Sequence, residues 1–203
     1  MRTGPATETD RPADRARLRP ATAADAGFLA EVLLEAFNWA QPRFTLEEIL
    51  RTPSIAHYVT DWPRPGDFGV VAEDGPGRPV GAAWARTFPA DDPGYGHVDP
   101  LVPELTLGVL PGHRGRGIGG ALLDTLVAQA ARARVDLSLS VEDGNPAVRL
   151  YAARGFVTVG REGNSDTMLL RLPGTPTDLT ATTHDERPRT PTGGAHPAPS
   201  AGG

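Results

Sequence analysis

The chain of 203 residues has no cysteine and no lysine; all 20 of its basic residues are arginine. The first absence excludes disulfides, thiolate metal sites and a cysteine nucleophile. The second excludes a phosphate-binding P-loop, which requires a lysine. Long apolar runs are missing as well: nothing approaches the roughly 20 residues that cross a bilayer. The start, Met-Arg-Thr-Gly-Pro-Ala-Thr-Glu, lacks the apolar stretch of a signal peptide. We therefore expect a cytoplasmic protein with no membrane partner. Positive charge is in deficit, with 25 Asp and Glu giving a formal charge of −5. An acidic chain without a basic stripe is a poor nucleic-acid ligand, so none is expected. Large apolar residues are scarce at both ends. Residues 1–16 hold only Met1 and residues 174–203 only Leu179. Such segments bury too little to offset the entropy of ordering them. The expectation is two disordered ends around one domain at 17–173.

Within that domain, local chemistry marks the elements. Arg17-Leu18-Arg19 reads as a short strand. Thr22 and Asp25 stand in capping-box spacing before Phe28, Leu29, Val32, Leu33 and Phe37, the spacing of an amphipathic helix. Thr45 and Glu48 repeat the device before a shorter helix. Residues 68–72 and 80–84 form a hairpin joined by a loose Gly- and Pro-rich loop, and 89–103 is a longer loop. A strand at 104–110 leads through glycines into a helix at 118–134. Residues 135–141 alternate strictly, Val135, Leu137, Leu139 and Val141 against Asp136, Ser138 and Ser140, as in a half-buried strand. Asn145-Pro146 then starts a helix that Gly155 stops. Strands at about 156–161 and 166–172 close the domain. The fold class is α/β with a mixed sheet.

Residues 113–120, His-Arg-Gly-Arg-Gly-Ile-Gly-Gly, fit two phosphate-binding patterns. From Gly115 they read G-x-G-x-x-G, the dinucleotide fingerprint, and Glu142 ends the next strand where a ribose-binding acid belongs. Against that reading, Pro111, Gly112, His113 and Arg114 separate strand from motif, an antiparallel hairpin precedes it, and too little chain follows for a second half-sheet. From Arg114 the same letters read R-x-x-G-x-G. Gly115, Gly117 and Gly119 would let the backbone approach a ligand. Their N–H groups stand at a helix N-terminus, which favours an anion. Arg114 and Arg116 add positive charge.

Residues 107–119 resemble motif A of the GNAT superfamily of acetyl-CoA-dependent N-acetyltransferases, and Asn145 through Phe156 resemble its motif B. The resemblance spans 17–173. It implies a GNAT-like fold: a central, mostly antiparallel sheet with splayed parallel strands at 104–110 and 135–141, flanked by about four helices. It also implies acetyl-CoA as cosubstrate, with its pyrophosphate on the backbone of Arg114, Gly115, Arg116, Gly117, Ile118 and Gly119. The pantetheine arm would pair with backbone near Leu107 and Val109, and Asn145 would contact it while capping its helix.

Transfer to an amine needs a base for the amine, a polarised carbonyl and a proton for the leaving thiolate. Tyr151 resembles the family's general acid. Glu104, the one carboxylate on its strand, is the candidate base, with Asp99 or solvent as competitors. The N–H near Val109 would polarise the carbonyl. Trp39 and Tyr95 are assigned to the acceptor site, and no metal is expected. The acceptor stays open among a protein N-terminus, a lysine, an antibiotic and a metabolite amine. An acyl-CoA sensor without turnover, or a transferase for another acyl group, are the alternatives.

Overall fold

The computed structural model describes residues 16–175. The two ends expected to be disordered lie outside that range except at their inner boundaries. The order is β1 (Arg17–Pro20), α1 (Ala26–Phe37), α2 (Leu46–Arg51), α3 (Pro53–Ala56), β2 (Phe68–Glu73), β3 (Pro79–Arg86), β4 (Glu104–Val109), α4 (Ile118–Ala133), β5 (Leu137–Glu142), α5 (Ala147–Ala152), β6 (Val157–Glu162) and β7 (Ser165–Leu170). One seven-stranded sheet runs β1-β2-β3-β4-β5-β7-β6. Every neighbouring pair is antiparallel except β4 and β5.

The sheet has a core on each face. Leu122, Leu123 and Leu126 of α4 pack with Val70, Ala83 and Leu139. On the other face Leu29 and Leu33 of α1 join Ile49, Val71 and Trp84. Strands covered on both sides read as continuous apolar runs rather than alternating ones, which is how β2 and β3 appear in the sequence.

Local signals set most boundaries as expected. Thr45 Oγ1 accepts the Glu48 N–H at 3.2 Å while the Glu48 carboxylate accepts the Thr45 N–H at 2.8 Å. The Thr22–Asp25 pair opens a 3-10 turn at Ala23–Asp25 ahead of α1. Asp25 accepts from the Thr22 N–H at 2.7 Å and binds Arg19 through both oxygens. The short helix α3 adds to the expected set; Thr52 precedes it and Pro53 opens it. One boundary moves. The strand expected from 135 begins at Leu137, because Arg134 closes α4 in the left-handed conformation at φ 57°. The Val135 N–H then returns to the Ala130 carbonyl at 3.1 Å, which keeps it out of the sheet.

A buried ion pair ties the segment after α3 to the sheet. Arg86 and Asp67 side chains are 1% and 2% exposed and meet at 2.5 Å. Arg86 also donates to the His57 and Thr60 carbonyls at 2.6 and 2.8 Å. Removing one member strands the other without a counter-charge. Asp67→Ala should lower unfolding free energy by about 3–5 kcal/mol, read from denaturant titration. A loss under about 1 kcal/mol would place the pair with ordinary surface bridges.

Candidate active site

Strands β4 and β5 meet at a single pair, Glu104 opposite Ser138. The Ser138 N–H reaches the Pro103 carbonyl at 3.0 Å, and beyond that point the strands part. At the far end the Leu110 N–H bonds the Val80 carbonyl at 2.9 Å, on the β3 side. Polar groups alternate in direction along a strand, so those of Leu107 and Val109 face β5, where no ladder continues. The parting opens a cleft of about 740 Å³. Every site residue named from the sequence lines it except Arg116 and the competing base Asp99. Asp99 lies off its wall; the Asp99 carboxylate accepts the Leu101 N–H at 2.8 Å and caps a turn.

Glu104 stands at the closed end, 4% exposed. The Tyr58 hydroxyl donates to its Oε1 at 2.7 Å and accepts the Tyr95 N–H at 2.7 Å. The other oxygen, Oε2, is buried without a hydrogen-bond partner among the described residues. Gly94 makes room for it: a Cβ there would stand 2.2 Å from Oε2. Burial pushes the Glu104 carboxyl up to about 7, against the opposing pull of the Tyr58 hydroxyl. A carboxyl poised there can accept a proton at neutral pH.

At the open end the glycine turn has the shape an anion needs. Gly115 and Gly117 are left-handed at φ 74° and 80°, and a Cβ on either would meet nothing within 4 Å. Backbone conformation, not crowding by the protein, calls for glycine here. Gly117 caps α4 without any side-chain bond, so the N–H groups of the first turn are available to a ligand. Gly119 is the second residue of that first turn. It lies in the helix, and a Cβ would make ordinary contacts at 3.8 Å to Leu107 and Leu150. Arg114 is turned back onto the protein: Nε donates to the Val109 carbonyl at 2.8 Å and Nη2 to Glu35 at 2.7 Å.

Helix α5 supplies Tyr151 to the same cleft. Asn145 Oδ1 accepts the Ala147 N–H at 2.9 Å and starts the helix; Gly155, at φ 88°, stops it. The Tyr151 ring meets Phe156 edge-on at 5.8 Å. Burial raises its hydroxyl to about 12, so it holds its proton at neutral pH.

Three further wall residues were given no role in this site from the sequence. Tyr58 is one. The others are Arg43 and Glu142, joined to Trp39: Glu142 accepts from Trp39 Nε1 at 2.6 Å and from Arg43 Nη1 at 2.8 Å. The Arg43 guanidinium holds the Glu142 carboxyl below the usual carboxylate range, against the effect of its partial burial. Asn38 builds the loop that presents them. Its Oδ1 accepts the Arg43 and Phe44 N–H groups at 2.8 and 3.1 Å.

Known proteins resemble this chain in sequence and fold. Residues 33–156 match the sequence profile of the acetyltransferase (GNAT) family. A mycothiol acetyltransferase of Frankia casuarinae is 32% identical over 128 residues, which are 60% of this chain and 35% of that protein. The chain thus spans about a third of that relative's length. A phosphinothricin acetyltransferase of Sinorhizobium meliloti, solved in complex with acetyl-CoA, is 26% identical with a TM-score of 0.54, over 84% of this chain and 96% of that one. A ribosomal-protein-alanine N-acetyltransferase of Brucella melitensis is also 26% identical, with a TM-score of 0.53, over 76% and 97% of the two chains. The profile covers more than half of the chain and takes in β4, the glycine turn, β5 and α5: the chain belongs to the GNAT acetyltransferase family.

Proposed function

We propose that the protein transfers the acetyl group of acetyl-CoA to a primary amine by direct attack, with both substrates bound at once. The observation that carries this reading is the shared cleft. It holds a buried carboxyl near pKa 7, a buried phenol near pKa 12 and an uncapped helix N-terminus. The relative from Sinorhizobium meliloti, solved with acetyl-CoA, supports the choice of cosubstrate.

Acetyl-CoA supplies the acetyl thioester and the thiol that leaves. The N–H groups from Gly115 to Gly119 hold its phosphates, and the edge at Leu107 and Val109, which no strand pairs although Arg114 occupies the Val109 carbonyl, takes its extended amide arm, as in strand addition. The Val109 N–H polarises the thioester carbonyl. Glu104 takes the proton of the attacking amine, directly or through water. As the C–N bond forms and the C–S bond breaks, Tyr151 gives its proton to the departing sulfur. A phenol at 12 is a weak acid for an ordinary thiol near 8.5, but a thiolate leaving inside the same cleft is raised by desolvation too. A sensor without turnover has no use for an acid and a base in one cleft.

Acetyl-CoA should raise the melting temperature well beyond any effect of NAD, and Gly117→Val should abolish the gain. Larger stabilisation by NAD would restore the dinucleotide reading. Tyr151→Phe should change acetyl-CoA affinity by less than ~1 kcal/mol while turnover falls ~10²–10⁴. Equal losses of the two would reduce the ring to a wall of the pocket.

Glu104 also gives a pH signature. Its folded pKa, about 7, lies above the ordinary 4.5. Its favourable contribution is therefore complete below about 4.5 and lost as pH rises through 7. Glu104→Gln stays neutral, so its stability relative to the parent should improve between pH ~5 and ~8. Its rate deficit should shrink at higher pH, where the amine deprotonates unaided. A stability difference independent of pH would overturn the raised carboxyl.

A further inference from the structure

We propose that the acceptor is a primary amine on an aromatic or other apolar body that carries no carboxylate, and that Glu142 sets this selectivity by occupying Arg43. The inference rests on the transfer reading above and narrows its acceptor.

The wall beside Glu104 is aromatic. The Phe37 ring stands edge-on to Phe44 at 6.0 Å and to Tyr95 at 5.9 Å, while Tyr58 and Tyr95 lie parallel at 6.3 Å. Tyr95 is 47% exposed, an unusual position for a ring whose backbone is fixed by a buried hydroxyl. Trp39 lines the same cleft as these rings. Such a surface buries an apolar body, and its ring faces attract an ammonium group before it is deprotonated.

The charges of the wall disfavour an anion. Glu35, Glu104, Glu142 and Glu162 face two guanidinium groups, Arg43 and Arg114, with His113 at the glycine turn. Both guanidinium groups are engaged. Arg43 binds Glu142 through Nη1 and the Phe37 carbonyl through Nε, at 2.8 and 3.0 Å. Arg114 binds Glu35 and the Val109 carbonyl. An acceptor carboxylate must displace Glu142 or Glu35 and leave that group without its counter-charge, or enter without one itself. Of the two, Arg43 is tied to the aromatic wall, since its partner Glu142 also binds Trp39.

The test compares matched amines on the full chain with acetyl-CoA, reading released thiol and product mass. Tyramine is set against tyrosine, phenylethylamine against phenylalanine, and ethanolamine serves as a small polar control. The carboxylate-free member of each pair should exceed its partner by at least about a hundredfold in kcat/KM, and ethanolamine should be poor. Glu142→Gln releases Arg43 and should narrow the tyramine-to-tyrosine ratio by about tenfold or more, through faster use of tyrosine. Adding Arg43→Met should cancel that gain. Thermal stabilisation by acetyl-CoA checks that each variant is folded. Amino acids used as well as their decarboxylated partners, ethanolamine used best, or a ratio unmoved by Glu142→Gln would overturn the proposal. Acetyl-CoA stabilisation without turnover of any aromatic amine would overturn the acceptor class and leave the cosubstrate standing. Absence of both stabilisation and thiol release would overturn the transfer reading itself.

Discussion

Two parallel strands that touch at one residue pair and then separate are the constraint from which the rest of this molecule follows. Glu104 belongs to the pair that touches, so its side chain stands where the cleft closes. The chain beyond it is held on one side only, by β3. Backbone groups left unpaired in a partly buried place cost about 1–3 kcal/mol each. A fold that keeps such an edge open holds a standing preference for ligands bearing amides. The loop at 89–103 maintains the opening from the other side: a Cβ on Gly96 would stand 2.3 Å from the backbone of Leu139. Loop and strand are in contact there with no room for a side chain between them.

Pairing decides which carboxyls of this protein remain charged. Asp25, bound through both oxygens by Arg19, is lowered to about 2, and Glu142 is lowered by Arg43. Each acts as a fixed tether. Glu104 has a phenol in place of a guanidinium, and burial raises it. The same side-chain chemistry thus yields fixed struts where a guanidinium is the partner and a titrating group at the closed end of the cleft.

Local chemistry was legible in the sequence. The Thr45–Glu48 box, the Asn145 start, the Gly155 stop and the left-handed glycines after β4 each act within a few residues, and each is present. The open strand edge followed from the resemblance, and the geometry bears it out. What escaped was non-local. Tyr58 meets Glu104 across 46 positions, Trp39 meets Glu142 across 103, and Arg43 meets it across 99. No pattern in a single chain announces such pairs. The late start of β5 escaped for another reason: arginine occupies a left-handed position where glycine or asparagine would have given a signal. The part of the site assigned to the cosubstrate was therefore readable, since a turn and a helix end build it. Of the wall opposite only Trp39 and Tyr95 were named, because four separate segments converge to form it.

Both arginines that line the cleft, Arg43 and Arg114, carry guanidinium groups, and the chain has no lysine anywhere. A guanidinium stays protonated at any pH the protein meets, and its lone pairs are delocalised, so it is a poor nucleophile. A lysine ammonium in the same place would lose its proton on desolvation and compete for any activated acyl group brought near it. The walls of this cleft are in that sense inert to their own reagent. The molecule has no side-chain amine through which it could acylate itself.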